Sequence, residues 1–169
     1  VTNGLTYLSD QYDFDACAYS STQVVIVFRK DATNLSVMLW AFAGSGTATG
    51  PTDFAADATG LAVLGATGEN IAVSWVDVSD SDVKIQTFNG SLTSVAGPTT
   101  VATTTAEGPT ALLRGTSSVI YVMYSSRSTG DARASIRSVN TTSHALGTAA
   151  VIMDGLLLAS KPVAVSSSL

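Results

Sequence analysis

Three short runs rich in β-branched and aromatic residues recur along the chain at nearly equal intervals: Gln23 to Phe28, Asn70 to Trp75 and Ser118 to Tyr124. Their terminal aromatics, Phe28, Trp75 and Tyr124, stand 47 and 49 residues apart. A second marker keeps almost the same interval: Gly50-Pro-Thr-Asp-Phe54, Gly97-Pro-Thr-Thr-Val101 and Gly147-Thr-Ala-Ala-Val151. Two independent markers at one period define an internal repeat, and a period of this size points to solenoids, propellers or arrays.

The pattern inside one repeat predicts four short strands. In the second, Leu61 to Leu64 is a brief apolar run ended by Gly65, with a turn at Thr67-Gly68. Asn70 to Val76 is apolar with little alternation, as expected of a strand buried on both faces. After the polar loop Asp77 to Asp82, Val83 to Phe88 alternates, placing Val83 and Ile85 on one face and Lys84 and Gln86 on the other. Asn89-Gly90 is a hairpin signal, because both residues tolerate positive φ. Gly97 to Val101 then predicts a short outer strand, and Pro98 fits an edge, where a missing N–H costs no ladder bond.

The other repeats follow suit. The first offers Ala16 to Tyr19, Gln23 to Phe28, Leu35 to Phe42 and Gly50 to Ala55. The third offers Thr110 to Leu113, Val119 to Tyr124, a loop over Ser125 to Asp131, and Ala132 to Arg137 with Arg133 and Arg137 turned outward. No stretch carries a capped apolar 3.6 period over ten residues, so helices are not expected.

Four-stranded antiparallel meanders at this interval are the composition of β-propeller blades. The aromatic-ended second strand, the Asp-bearing loop, the alternating third strand, Phe88-Asn-Gly-Ser91 and Gly97-Pro98 resemble degenerate propeller repeats of bacterial secreted proteins and bacteriophage tail proteins. The resemblance covers nearly the whole chain. Its motifs are loose: Trp75-Val-Asp77 lacks the Gly-His partner of a WD40 repeat, and no double-glycine kelch pattern occurs. The expected fold is all-β, with blades over 13–57, 61–106 and 109–154; tandem β-sandwich modules are the alternative. Residues 1–10 line up with Gly50 to Asp57 as the outer strand of a preceding blade. Residues 161–169, through Pro162 to Val165, match Pro109 to Leu112 as the inner strand of a following one. A closed ring needs about four to eight blades. The expectation is therefore a segment of a longer polypeptide, or a chain completed by its neighbours.

Composition narrows the function. Of 169 residues 46% are hydrophobic, enough for a core, but only 12% are charged, about half the usual share. Ser and Thr number 44, a hydroxyl-rich surface of the kind associated with extracellular and virion-exposed β proteins. A net charge of −5 with eight Lys and Arg argues against a nucleic-acid partner. No apolar run approaches the ~18 residues of a membrane-spanning helix. A single cysteine, Cys17, excludes an internal disulfide framework; its apolar setting predicts a small buried residue.

Candidate chemistry is sparse. Loops that would gather at one face carry Asp13, Asp15, Asp31, Asp57, Asp77, Asp80, Asp82, Glu107 and Asp131. Asp77, Asp80 and Asp82 offer oxygens to a hard cation such as Ca²⁺, yet their spacing is not an EF-hand and a solvated Asp-Ser turn explains them equally well. A sialidase-type glycosidase needs an arginine cluster and paired carboxylates. Among Arg29, Arg114, Arg127, Arg133 and Arg137, only Arg114 is expected near a central channel, and Glu69 and Glu107 are the only glutamates. His144 is the sole histidine and reads as a surface turn residue, with no second imidazole for zinc. Sequons occur at Asn34, Asn89 and Asn140. Trp40, Tyr19 and Tyr121 are the aromatics on which a sugar ring could stack.

No cofactor or catalytic residue is expected. The leading expectation is a non-enzymatic structural module of a virion, such as a bacteriophage tail protein, assembling with other subunits. An extracellular propeller binding glycans or proteins comes second, and a glycosidase third.

Overall fold

The computed structural model describes residues 14–42, 46–55, 57–103, 106, 109–128 and 131–154. Within them the chain is all-β, with twelve strands in three four-stranded antiparallel sheets, each a simple meander. Sheet 1 holds β1 (Phe14–Ala18), β2 (Gln23–Arg29), β3 (Asn34–Ala41) and β4 (Thr47–Ala55). Sheet 2 holds β5 (Ala58–Leu64), β6 (Ile71–Asp77), β7 (Val83–Phe88) and β8 (Ser94–Ala102). Sheet 3 holds β9 (Ala111–Thr116), β10 (Val119–Ser128), β11 (Asp131–Asn140) and β12 (Ala150–Asp154). The stretches 1–10 and 161–169, expected as strands of neighbouring blades, lie outside the described residues.

Sheet 2 is the middle of a stack. One of its faces joins Ile71, Val73, Trp75 and Phe88 to Val25, Val27, Leu35, Val37 and Phe54 of sheet 1. The other joins Ala72, Val76, Val83, Ile85 and Val101 to Ile120, Val122, Tyr124 and Val139 of sheet 3. This double burial is why Ile71 to Val76 shows no alternation: all six residues are buried. The three marker aromatics keep one orientation. Trp75 faces sheet 1, Tyr124 faces sheet 2, and Phe28 lies on the side of sheet 1 away from sheet 2.

The sheets converge at their first strands. Strand β5 lies against β1 and β2, and β9 lies against β5. Hydrogen bonds tie these strands together: the Val63 amide donates to Asp15 Oδ2 at 2.9 Å, and Thr110 donates to the Gly60 carbonyl through its amide at 2.8 Å and its hydroxyl at 2.7 Å. Among the described residues sheets 1 and 3 make no comparable approach.

The repeated Gly-Pro marker is a bulge in the fourth, edge strand. In β8 the pairing with β7 shifts between Ile85 and Thr87, opposite Gly97; in β4 the pairing with β3 shifts between Val37 and Leu39, opposite Gly50. Both glycines have positive φ, +105° and +93°, the conformation such an insertion asks of the chain. A Cβ on Gly97 would stand 2.8 Å from the Ile85 carbonyl oxygen. Gly97→Ala should therefore destabilise the fold by about 1–3 kcal/mol, measurable by urea unfolding. Gly147 departs from the pattern: β12 begins only at Ala150.

One expected loop is strand instead. Ser125 to Ser128 extends β10 and pairs with Asp131 to Ala134 of β11, so the Ser- and Arg-rich composition belongs to a long hairpin arm.

Candidate functional site

The acidic turn between β6 and β7 is built around a lysine. Lys84 Nζ lies 2.8 Å from Asp77 Oδ2 and 2.8 Å from Asp80 Oδ2. Asp77 Oδ1 accepts from the Ser79 amide at 3.0 Å and its hydroxyl at 2.5 Å, and Asp80 Oδ1 accepts from the Asp82 amide at 2.9 Å. Burial works to raise the Asp77 carboxyl, but Lys84 and Ser79 outweigh it and leave it below the usual carboxylate range. An ammonium thus stands between Asp77 and Asp80, where the Ca²⁺ expectation would put a cation, while Asp82 joins the turn through its main chain. Among the described residues no three His, Cys, Asp or Glu side chains converge as ligands.

The remaining loop acids are structural in the same sense. Asp31 accepts from the Thr33 amide at 2.8 Å and from Asn34 Nδ2 at 2.9 Å. Asp57 pairs with Arg29 at 2.7 Å, joining the end of β2 to the start of β5. Asp53 accepts from the Ser36 hydroxyl at 2.5 Å and pairs with Lys30. Asp13 and Glu107 lie outside the described residues, and only the backbone of Asp131 is described. The sequon asparagines serve turns: Asn89 Oδ1 accepts from the Ser91 and Thr93 amides, and Asn140 Oδ1 from those of Thr142 and Ser143.

Where the first strands converge, Arg114 of β9 pairs with Glu69 in the turn between β5 and β6. Cys17 of β1 packs against the core between sheets 1 and 2. Burial pushes its thiol up, Asp15 adds to this, and a backbone hydrogen bond at Gly65 and Arg114 act against it. A thiol held protonated is a poor nucleophile. Native protein at pH 8 should react with a thiol reagent more slowly than the urea-unfolded chain, which stopped-flow labelling would resolve.

His144 overturns its sequence expectation. Far from lying on the surface, it is 7% exposed and wedged between sheets. Its Nε2 lies 2.9 Å from Thr87 Oγ1 of β7, and its Nδ1 lies 2.8 Å from Thr99 Oγ1 of β8. A backbone φ of +56° turns the side chain inward from the hairpin after β11. Thr87 and Thr99 share the face that carries Ile85 toward sheet 3. Two hydroxyls on an apolar face need a partner, and that was the one sequence signal for the contact.

Burial lowers the His144 pKa from its ordinary value near 6.5. The unfolded chain therefore takes up a proton before the folded one does. The contribution is fully present above pH 6.5 and is lost as the pH falls toward the folded value. Unfolding free energy should decline between pH 7 and 5, and the decline should be shallower in His144→Gln, as denaturant titrations at several pH values would measure.

Arg137 and Arg133 are corrected likewise. They share a face of β11 with Val139, which packs toward sheet 2. Arg137 donates from Nε to the Gly147 carbonyl at 2.8 Å and from Nη1 to the Val101 carbonyl of β8 at 2.5 Å. Side-chain positions of Arg127 are not described. Of the aromatics, Tyr19 is buried in the core, Trp40 is half-buried over Gly46, and Tyr121 is 37% exposed on the face of sheet 3 away from sheet 2. Tyr19 and Trp40 belong to sheet 1, the first in the core and the second on the opposite face, and Tyr121 belongs to sheet 3, so the three do not gather at one place. No protein-family model, curated protein or solved structure matches this chain.

Proposed function

We propose that the chain is a non-enzymatic structural module, a run of propeller-type blades that assembles with further sheets in a virion or other extracellular particle. The observation that carries this reading is the use made of the polar side chains. Asp15, Arg29, Asp57, Thr110, Arg137 and His144 each bond across from one sheet to the next. Glu69 pairs with Arg114, and Asp77 and Asp80 with Lys84. Groups committed to such bonds hold sheets together and are not free to bind or transform a substrate.

Convergence of the sheets at β1, β5 and β9 favours propeller-type blades over a sandwich, whose facing sheets stay ~10 Å apart along their length. The low charge and abundant hydroxyls support the particle setting. A glycan array and a panel of glycosidase substrates test the reading. No binding and no turnover are expected; saturable glycan binding abolished by Tyr121→Ala would instead establish the carbohydrate-binding alternative.

A further inference from the structure

We infer that the junction between sheets 2 and 3 is an acid-release joint: protonation of His144 frees sheet 3 from sheet 2 while sheets 1 and 2 stay together. The joint depends on this pair of sheets alone and not on the assembly around them.

Both junctions close on the same device, a plug and a seat. The hairpin between the third and fourth strands of sheet 2 holds Leu92 at a φ of +60°, and that of sheet 3 holds His144 at +56°. Each hairpin is drawn together by its opening asparagine, Asn89 or Asn140. Each plug rests on the bulge glycine of the preceding sheet. A Cβ on Gly50 would stand 2.8 Å from Leu92 Cδ1, and a Cβ on Gly97 would stand 3.0 Å from His144 Cε1. The bulges run between Val37 and Leu39 and between Ile85 and Thr87, so Leu39 and Thr87 hold equivalent places in the two seats. Leu92 and Leu39 both lie in the apolar core between sheets 1 and 2, whereas His144 bonds to Thr87 and Thr99. The first plug is a hydrocarbon; the second is the side chain that titrates nearest neutrality.

Neutral His144 satisfies both threonines, one ring nitrogen donating to a hydroxyl and the other accepting from one. Protonation makes both nitrogens donors, so the hydroxyl that had donated must turn its hydrogen into an apolar interface. It also places a full charge where, among the described residues, no carboxylate answers it. On β7, Lys84 lies on the opposite face, held by Asp77 and Asp80, and β8 carries no ionisable residue. From sheet 3, Arg137 and Arg133 share the facing side of β11 and add positive charge, while the buried Tyr124 phenol stays neutral. Arg127, Asp131 and Asp154 lie at the far end of the ladder. Glu69, beside the Asn70 whose side-chain amide donates to the Thr141 carbonyl at 3.0 Å, is already paired with Arg114. Burial accordingly holds the His144 pKa below its ordinary value near 6.5. The open joint therefore takes up the proton first. Closure is fully favoured above pH 6.5 and weakens as the pH falls toward the closed-state value.

The test is amide exchange of the 169-residue chain between pH 7 and 5, read as opening constants after division by the free-peptide rate. The Thr110 amide, bonded to the Gly60 carbonyl, reports the junction of sheets 2 and 3; the Thr67 amide, bonded to the Tyr19 carbonyl, reports that of sheets 1 and 2. Opening at Thr110 should rise about tenfold per pH unit below 6.5, while opening at Thr67 stays level. The double variant His144→Leu with Thr87→Leu copies the Leu92 and Leu39 pair and should flatten the Thr110 response. His144→Gln, polar but with no proton to gain, gives the same reading if the double variant does not fold. A level Thr110 response in the unsubstituted chain overturns the joint, and so does a response that survives either substitution. An equal rise at Thr67 also overturns it, because the sheets then come apart together.

Discussion

Trp75→Ala lowers the unfolding free energy by about 3–5 kcal/mol, the largest loss expected of any single truncation among the described residues. Trp75 is 1% exposed and stands in the core between sheets 1 and 2. Its ring is tilted against Phe54 of β4, with centroids 5.6 Å apart, and Phe54 in turn meets Phe88 of β7 at 5.3 Å. Removing the indole leaves a cavity shared by two sheets, whose backbones are fixed by their own ladders and cannot collapse into it. The indole Nε1 is buried without a hydrogen-bond partner, and such a group costs about 1–3 kcal/mol. Trp75→Phe removes that penalty together with part of the volume, so it should cost clearly less than the alanine change. Guanidinium unfolding of the three proteins, followed by far-ultraviolet circular dichroism, measures both differences.

Arg137→Met should cost about 1.5–3 kcal/mol, the range for hydrogen bonds made by a charged group. It retains most of the side chain's apolar stem while removing the donors to the Gly147 and Val101 carbonyls. Val101 is fully buried, so no water readily replaces the lost donor to its carbonyl. A solvent-facing arginine, as the alternation of β11 suggests, would give a change within about 0.5 kcal/mol. Urea unfolding distinguishes the two. Because Arg137 joins β11 to β8, amide exchange should also quicken in both strands and leave sheet 1 unaffected.

The strands themselves were legible in the chain because they are local. The unalternating apolar run from Asn70 to Val76 announced a strand covered on both faces, and Asn89-Gly90 announced the hairpin into β8, although the positive φ of that turn falls on Leu92. Phe28, Trp75 and Tyr124 marked equivalent positions, and the structure gives all three one orientation. The Gly-Pro marker was visible, but its meaning as an edge-strand bulge depends on the register of a neighbouring strand.

What stayed hidden is non-local. His144 sits in a polar hairpin and looks solvated until sheet 3 docks it on Thr87 and Thr99, 57 and 45 residues away in sequence. In β11 the usual assumption turns Ile136 inward and Arg133 and Arg137 outward. The docking of sheet 3 reverses this, because Tyr124 and Val139 share the arginine face and fill the core against sheet 2. Asp77 and Asp80 resembled ligands because their spacing says nothing of Lys84 arriving between them from the next strand.

Diffraction from crystals of the 169-residue chain tests the central claim most directly, since it reads the order and orientation of the sheets at once. The account predicts β5 seated between β1 and β9, and Trp75 and Tyr124 each turned toward the preceding sheet. Sheets 1 and 3 packed on each other, or β5 away from β1 and β9, would contradict it.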